Sequence, residues 1–124
     1  MEKPKPMIIV GGPKSGKSTR AREEAARIGG RCVVAYPEDL QSRFGLGRVL
    51  GSSPDVVVVE GLELKGRAEW VKQLVSGDDI EIEEQCREPR FVPAPFFIFT
   101  MLTPPHWVPC ESSFSRFQYI ILED

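Results

Sequence analysis

The feature that most constrains this chain is a glycine-rich stretch, GGPKSGKS, at residues 11–18. Four apolar residues precede it, and apolar residues recur after it at helical spacing. The stretch fits the pattern G-x-x-x-x-G-K-[S/T], whose chemistry requires a strand before the loop and a helix after it. We therefore expect a strand at residues 7–10, a phosphate-binding loop and then a helix at 17–28.

The residue types of the loop predict which groups contact a nucleotide. Glycines let backbone N–H groups turn toward an anion, and a helix N-terminus favours negative charge there. We expect Lys17 to reach the β- and γ-phosphates of a nucleoside triphosphate and the Ser18 hydroxyl to ligate Mg²⁺. ATP and Mg²⁺ are the predicted ligands, although this chemistry reads phosphates and leaves the base open. The residues predicted to hold the nucleotide are Gly11, Gly12, Pro13, Lys14, Ser15, Gly16, Lys17, Ser18 and Thr19.

A second group that orients the metal is expected at the end of a neighbouring buried strand. Residues 55–60, DVVVVE, have the continuous apolar run of a central parallel strand and end in Glu60. We predict that Ser18 and Glu60 ligate the metal and that Lys17 and Glu60 belong to the catalytic centre. Glu63 is the reserve candidate for polarising a water. The alternative is that Glu60 is an ordinary surface residue, since strands commonly end in polar residues.

The order of the remaining patterns predicts the fold class. Segments typical of strands lie at 7–10, 32–36, 55–60, 96–100 and 117–122, and helical patterns lie at 17–28, weakly at 37–50, and through Leu64, Ala68, Val71 and Val75. Such alternation predicts an α/β fold of the P-loop NTPase type, with a mostly parallel five-stranded sheet flanked by helices. Strict alternation at 80–83 predicts one arm of an exposed hairpin, and we expect a hairpin insertion at 78–92.

Composition narrows the remaining choices. With 124 residues, 41% of them hydrophobic, the chain has the size of one folded domain, 1–124, with a flexible segment at 1–6. Its net charge of −2 gives no general attraction to nucleic acid. Short apolar runs and the lack of a signal-peptide core predict an intracellular protein without membrane contact. Three cysteines without a C-x-x-C pair, and a single histidine, argue against a disulfide framework or a zinc site.

The order of motifs resembles the superfamily 3 helicases, the AAA+-like motors of replication initiator proteins in small DNA viruses and related replicons. In those proteins the loop is followed by an acidic-ended strand, a helix, a hairpin, an apolar strand and an arginine. The corresponding stretches here are residues 11–18, 56–60, 76–83, 96–107 and 115–117. The resemblance implies an ATP-hydrolysing homo-oligomeric ring acting on single-stranded nucleic acid, with Arg116 as the finger that reaches a neighbouring subunit's γ-phosphate.

Three positions depart from the pattern of that family. Gly61 stands where a second acidic residue is usual, Leu102 where an asparagine is usual, and Gln85 where the hairpin has a lysine. Leucine cannot orient a water, and glutamine offers no charge to a phosphate backbone. The candidates to replace the missing asparagine and lysine are Thr100, Thr103, Arg87 and Arg90.

Two alternatives to a helicase motor stay open. One is a small P-loop kinase or phosphotransferase, favoured by the loop and by Arg20 and Arg22 after it. The other is a nucleotide-binding module without turnover, in which the three departures mark lost catalysis. Residues 78–88 carry six acidic residues and one arginine, which argues against a strong grip on nucleic acid.

Overall fold

The apolar runs of the chain form the strands of a central sheet, and the helical patterns form the layers on either side of it. The computed structural model of the protein describes residues 5–62, 69–102 and 117–122. Within them the elements are β1 (Met7–Val10), α1 (Lys17–Ile28), β2 (Cys32–Ala35), α2 (Pro37–Gln41), α3 (Gly45–Leu50), β3 (Val56–Val59), α4 (Glu69–Leu74), β4 (Ile80–Ile82), β5 (Arg90–Val92), β6 (Phe96–Met101) and β7 (Gln118–Ile121). The predicted α/β class is confirmed.

The five-stranded sheet has the order β2-β3-β6-β1-β7, and every neighbouring pair in it is parallel. β6 therefore lies between β1 and β3, although it follows both in the chain. Because parallel strands end at the same edge of a sheet, the residues that follow β1, β3 and β6 come together there. That edge holds the glycine-rich loop after β1 and Glu60 after β3.

Side chains alternate between the two faces of the sheet, and each face has its own apolar cluster. On one face, Val56 and Val58 of β3 pack with Ala21 and Ala25 of α1. The opposite face is covered by residues of α2, α3, α4, β4 and β5. All four valines of β3 are fully buried, and the burial of each contributes about 1.5–3 kcal/mol. β3 is therefore an interior parallel strand buried on both faces, as the sequence predicts, while β6 is the middle strand of the sheet.

The hairpin predicted from the alternating segment at 80–83 is present, but it is less exposed than we expect from the sequence. β4 and β5 pair antiparallel, with Ile80 opposite Val92. Ile80, Ile82 and Val92 are buried in the cluster on the face opposite α1. The expectation of an exposed hairpin is therefore wrong for its apolar side, because alternation shows that one side is apolar but not which element will cover it.

Element boundaries agree closely with the sequence patterns where the structure describes them. α1 has the predicted limits, and the segment at 37–50 forms two short helices, α2 and α3. Of the apolar stripe expected on the next helix, Val71 is buried and Val75 packs against the core, while Leu64 and Ala68 lie outside the described residues. Among the helices described, none is long and apolar enough to cross a membrane.

Candidate functional site

The glycine-rich loop joins β1 to α1 and is fastened to the sheet where it begins. The backbone N–H of Gly11 donates to the carbonyl oxygen of Met101 on β6, at 3.1 Å. A Cβ atom at Gly11 would lie 2.9 Å from the Ser15 Cβ atom and closer still to its hydroxyl oxygen, so Ser15 would have to shift to admit a side chain there. Gly16, the N-cap of α1, has a φ of 86°, a left-handed conformation that glycine adopts without strain. The shape of the loop therefore favours glycine at both positions.

Two polar side chains, those of Ser15 and Lys17, converge on one backbone carbonyl of the loop. The Lys17 ammonium and the Ser15 hydroxyl each donate to the carbonyl oxygen of Gly12, at 2.8 Å in both cases. This arrangement folds the Lys17 side chain back over the loop and holds its positive charge at the N-terminus of α1. The N-terminus of a helix favours anions, and the positive charge of Lys17 adds to that preference at the loop.

Ser18 and Glu60, the two residues that the sequence analysis names as candidate metal ligands, meet at this edge. The Ser18 hydroxyl donates to the Glu60 carboxylate, with 2.8 Å between Oγ and Oε2. The alternation of β3 explains the contact, because Val56, Val58 and Glu60 follow one another on the face that α1 covers. Ser18 lies in the first turn of α1, directly after the loop. Two oxygen groups from different elements are thus brought together beside Lys17.

Glu60 stands at the end of β3 in a segment whose backbone is held from both sides. Its N–H donates to the carbonyl oxygen of Ala35 on β2, at 2.9 Å. The next N–H, that of Gly61, donates to the hydroxyl oxygen of Thr100 on β6, at 3.1 Å. The N–H of Leu62 donates to the Thr100 carbonyl oxygen, at 2.8 Å. The carboxylate therefore projects from a backbone that is anchored at three successive N–H groups.

Gly61 has a structural role that the sequence interpretation missed. Its φ is 76°, so the chain leaves β3 through a left-handed residue. The resemblance treats this position as a missing second carboxylate, whereas the backbone there favours glycine. The signal was available in the sequence, since a glycine directly after a buried strand is typical of a sharp change of direction.

A cavity of about 330 Å³ opens beside the loop. It is lined by Pro13, Lys14, Gly16, Lys17, Ser18 and Thr19, all of which belong to the predicted nucleotide-binding set. The oxygen donors of Ser18 and Glu60 fit Mg²⁺, which commonly takes one or two protein carboxylates together with phosphate oxygens and waters. No group of three or more His, Cys, Asp or Glu side chains suited to a metal occurs within the described parts of the chain.

Two of the three positions that depart from the helicase pattern are exposed to solvent. The Leu102 side chain is 57% exposed, and Gln85 is exposed between β4 and β5. Arg90 is held by Glu84, at 3.0 Å, and by the carbonyl oxygen of Gly51, at 2.8 Å, so its guanidinium already has partners. Arg87 is exposed. The predicted residues Glu63, Thr103 and Arg116 lie outside the described residues.

The all-parallel five-stranded sheet flanked by helices, with the glycine-rich loop after β1 and an acidic residue after β3, is an α/β fold that solved structures share. A structure of the JCV helicase with a bound phenoxyphenylacetamide matches with a TM-score of 0.64 and 18% identity, covering 97% of this chain and 36% of the helicase chain. Two structures of the NrS-1 C-terminal region match with TM-scores of 0.62 and 0.61 and 15% identity, covering 94% and 95% of this chain and 28% of theirs.

These similarities establish the fold and a likeness to a helicase domain. The chain spans well under half the length of each of these neighbours. No family model and no curated protein matches the chain.

Proposed function

We propose that this chain is the Mg²⁺-dependent, ATP-binding and ATP-hydrolysing core of a replication helicase that acts on single-stranded nucleic acid. The observation that carries the proposal is the 2.8 Å hydrogen bond between Ser18 and Glu60 beside the glycine-rich loop. A structural turn without a ligand has no need for a hydroxyl and a carboxylate from separate elements at the same point. The likeness to the JCV helicase supports the choice of helicase over other NTPases.

Different groups of the chain bind the phosphates and the Mg²⁺ of a nucleoside triphosphate. The loop N–H groups and the N-terminus of α1 receive the phosphate oxygens, and the Lys17 ammonium leaves the Gly12 carbonyl to pair with the β- and γ-phosphates. Ser18 and Glu60 hold Mg²⁺, which when bound neutralises charge on the phosphates. Glu60, and Glu63 close to it in the chain, are the candidates to orient the attacking water. Bound this way, the γ-phosphoryl group is positioned for transfer to water.

Turnover in this account depends on assembly. Arg116 supplies positive charge to the γ-phosphate of a neighbouring copy, so an isolated copy lacks one group that stabilises the transition state. Single-stranded DNA is the proposed substrate of the motor. The acidic hairpin implies weak contact with the phosphate backbone through that element.

Turnover of ATP, measured with and without Mg²⁺ and single-stranded DNA over a range of protein concentrations, tests this function. We expect turnover that requires Mg²⁺, rises with DNA and disappears in Lys17→Ala. Transfer of phosphate to a small-molecule acceptor in preference to water would instead identify a kinase.

A nucleotide-binding module without turnover is the second candidate, and one observation favours it. Leu102, at the position where the helicase pattern has asparagine, is apolar and 57% exposed. Tight, Mg²⁺-enhanced ATP binding with no hydrolysis under any condition would select this candidate over the motor.

A further inference from the structure

Thr100 is a buried polar residue to which the proposed function assigns no role. Its side chain is 1% exposed. Within the described residues the other buried polar or charged side chain is Glu24, which pairs with Arg20 and Arg27 on its own helix. Thr100 has a different kind of partner, since its hydroxyl oxygen accepts a hydrogen bond from the backbone of another strand's end.

The position of Thr100 in the sheet places it next to the metal site. It lies on β6, between β1 and β3, and pairs in register with Ile9 of β1. Alternation from Ile98, which packs on the α1 face, puts Thr100 on that same face. By the same alternation, Glu60 lies on this face directly after β3, the strand next to β6. The Thr100 hydroxyl therefore lies close to the edge of the sheet that carries both the glycine-rich loop and the Glu60 carboxylate.

Thr100 receives two of the three hydrogen bonds that anchor the backbone around Glu60. Its hydroxyl oxygen takes the Gly61 N–H, and its carbonyl oxygen takes the Leu62 N–H. Gly61 needs such an anchor, because a left-handed glycine has wide conformational freedom and directly follows the carboxylate-bearing residue. Without the hydroxyl, the peptide between Glu60 and Gly61 is free to rotate while the Leu62 bond keeps the strands together.

We propose that Thr100 is a positioning residue that fixes the direction of the Glu60 carboxylate toward Ser18 and so sets the affinity of the site for Mg²⁺. The inference rests on the proposed function, because it assigns a role to Thr100 within the same site. Thr100 acts through the Gly61 backbone and need not touch the nucleotide.

The test compares Thr100→Val, which removes the hydroxyl at nearly constant volume, with Thr100→Ser, which keeps it. The quantity measured is the factor by which Mg²⁺ raises ATP affinity, taken as the ratio of dissociation constants in EDTA and in Mg²⁺. We expect Thr100→Val to lower this factor about fivefold, the worth of one hydrogen bond, while affinity in EDTA stays the same. Thr100→Ser should restore the factor.

Two further variants separate positioning from general loss of stability. Ile98→Val lies two residues earlier on the same strand and face, and it loses buried volume without touching Gly61. It should lower the free energy of unfolding and leave the Mg²⁺ factor unchanged. In a Glu60→Ala background, Thr100→Val should have no further effect on the factor, because a positioning residue acts only through the group that it positions.

The outcomes separate this inference from the proposed function. A wild-type chain that binds ATP with Mg²⁺ enhancement, and a Thr100→Val variant with the same enhancement, would overturn the inference alone. An equal loss in the Glu60→Ala background would also overturn it. A wild-type chain that does not bind ATP, or binds it without regard to Mg²⁺, would overturn the proposed function and the inference together.

Discussion

Ser18 and Glu60 are 42 positions apart in the chain, yet the hydroxyl of one donates to the carboxylate of the other at 2.8 Å. A hydrogen bond to an ionised acceptor is stronger than a neutral one and fixes the rotamers of both side chains. Each residue therefore holds the other at the point where we propose that both ligate Mg²⁺. Lys17, in contrast, bonds to its own loop, and we propose that it exchanges this partner for a phosphate when nucleotide binds.

Ser18→Ala tests the shared role of this pair. The variant removes the hydroxyl and leaves the Glu60 carboxylate without its partner, so we expect the Mg²⁺ enhancement of ATP binding to fall about tenfold while binding in EDTA is retained. Calorimetric titration with ATP in each condition measures both quantities. The control is Ser76→Ala, whose hydroxyl bonds to Gln73 in the turn after α4, and it should bind as wild type. Equal Mg²⁺ enhancement in Ser18→Ala and wild type would contradict the metal site.

Gly61 allows a second test at a single residue. Within the part of the chain that the structure describes, no atom beyond the two chain neighbours of Gly61 lies within 4 Å of a Cβ atom built there, so the cost of Gly61→Ala is expected to come from its φ of 76°. We expect a loss of about 1–2 kcal/mol in the free energy of unfolding, measured with urea. Gly61→Asn should cost less, because asparagine tolerates left-handed backbone better than alanine. Identical stabilities of the two variants would argue against backbone strain as the cause.

Among the secondary-structure elements, those with strong local patterns follow from the sequence. The loop, α1 and the valine strand β3 do so because each is specified by neighbouring residues. The spatial relations between distant segments do not follow from such local patterns. That β6 separates β1 from β3, and that Thr100 thereby reaches Gly61, depends on the order of strands in the sheet. The covering of the hairpin's apolar side by the core depends in the same way on contacts between distant elements.

The packing of the β4–β5 hairpin against α3 depends on Gly47. A Cβ atom at Gly47 would lie 2.3 Å from the backbone oxygen of Glu83, just after β4. Gly47→Ala should therefore push the hairpin away from α3 and cost about 1–3 kcal/mol in the free energy of unfolding. Urea unfolding gives the cost, and hydrogen exchange at Ile80 and Val92 shows where the structure loosens. Arg48→Ala, on an exposed position of the same helix, is the control. Unchanged exchange in the hairpin of Gly47→Ala would refute this packing.

At the scale of the whole molecule, the proposed ATP hydrolysis requires that copies of this chain assemble and share a site. If Arg116 of one copy serves the nucleotide of its neighbour, Lys17→Ala and Arg116→Ala damage different halves of the same site. Each variant alone should hydrolyse ATP at least about tenfold more slowly than wild type, and a mixture of the two should recover part of the activity. Steady-state turnover of the mixture, at concentrations where wild-type turnover depends on concentration, measures the recovery. A mixture no more active than the average of its components would exclude a finger supplied by a neighbouring copy.

The proposed site requires the loop between β1 and α1 to bind a nucleoside triphosphate, with Mg²⁺ held by Ser18 and Glu60. The decisive measurement is a calorimetric titration of the wild-type chain with ATP, with and without Mg²⁺, alongside Lys17→Ala. We expect saturable binding that Mg²⁺ strengthens, and a loss of about tenfold or more in Lys17→Ala, because a charge-assisted contact to phosphate is removed. No binding by the wild-type chain, or equal binding by wild type and Lys17→Ala, would contradict it.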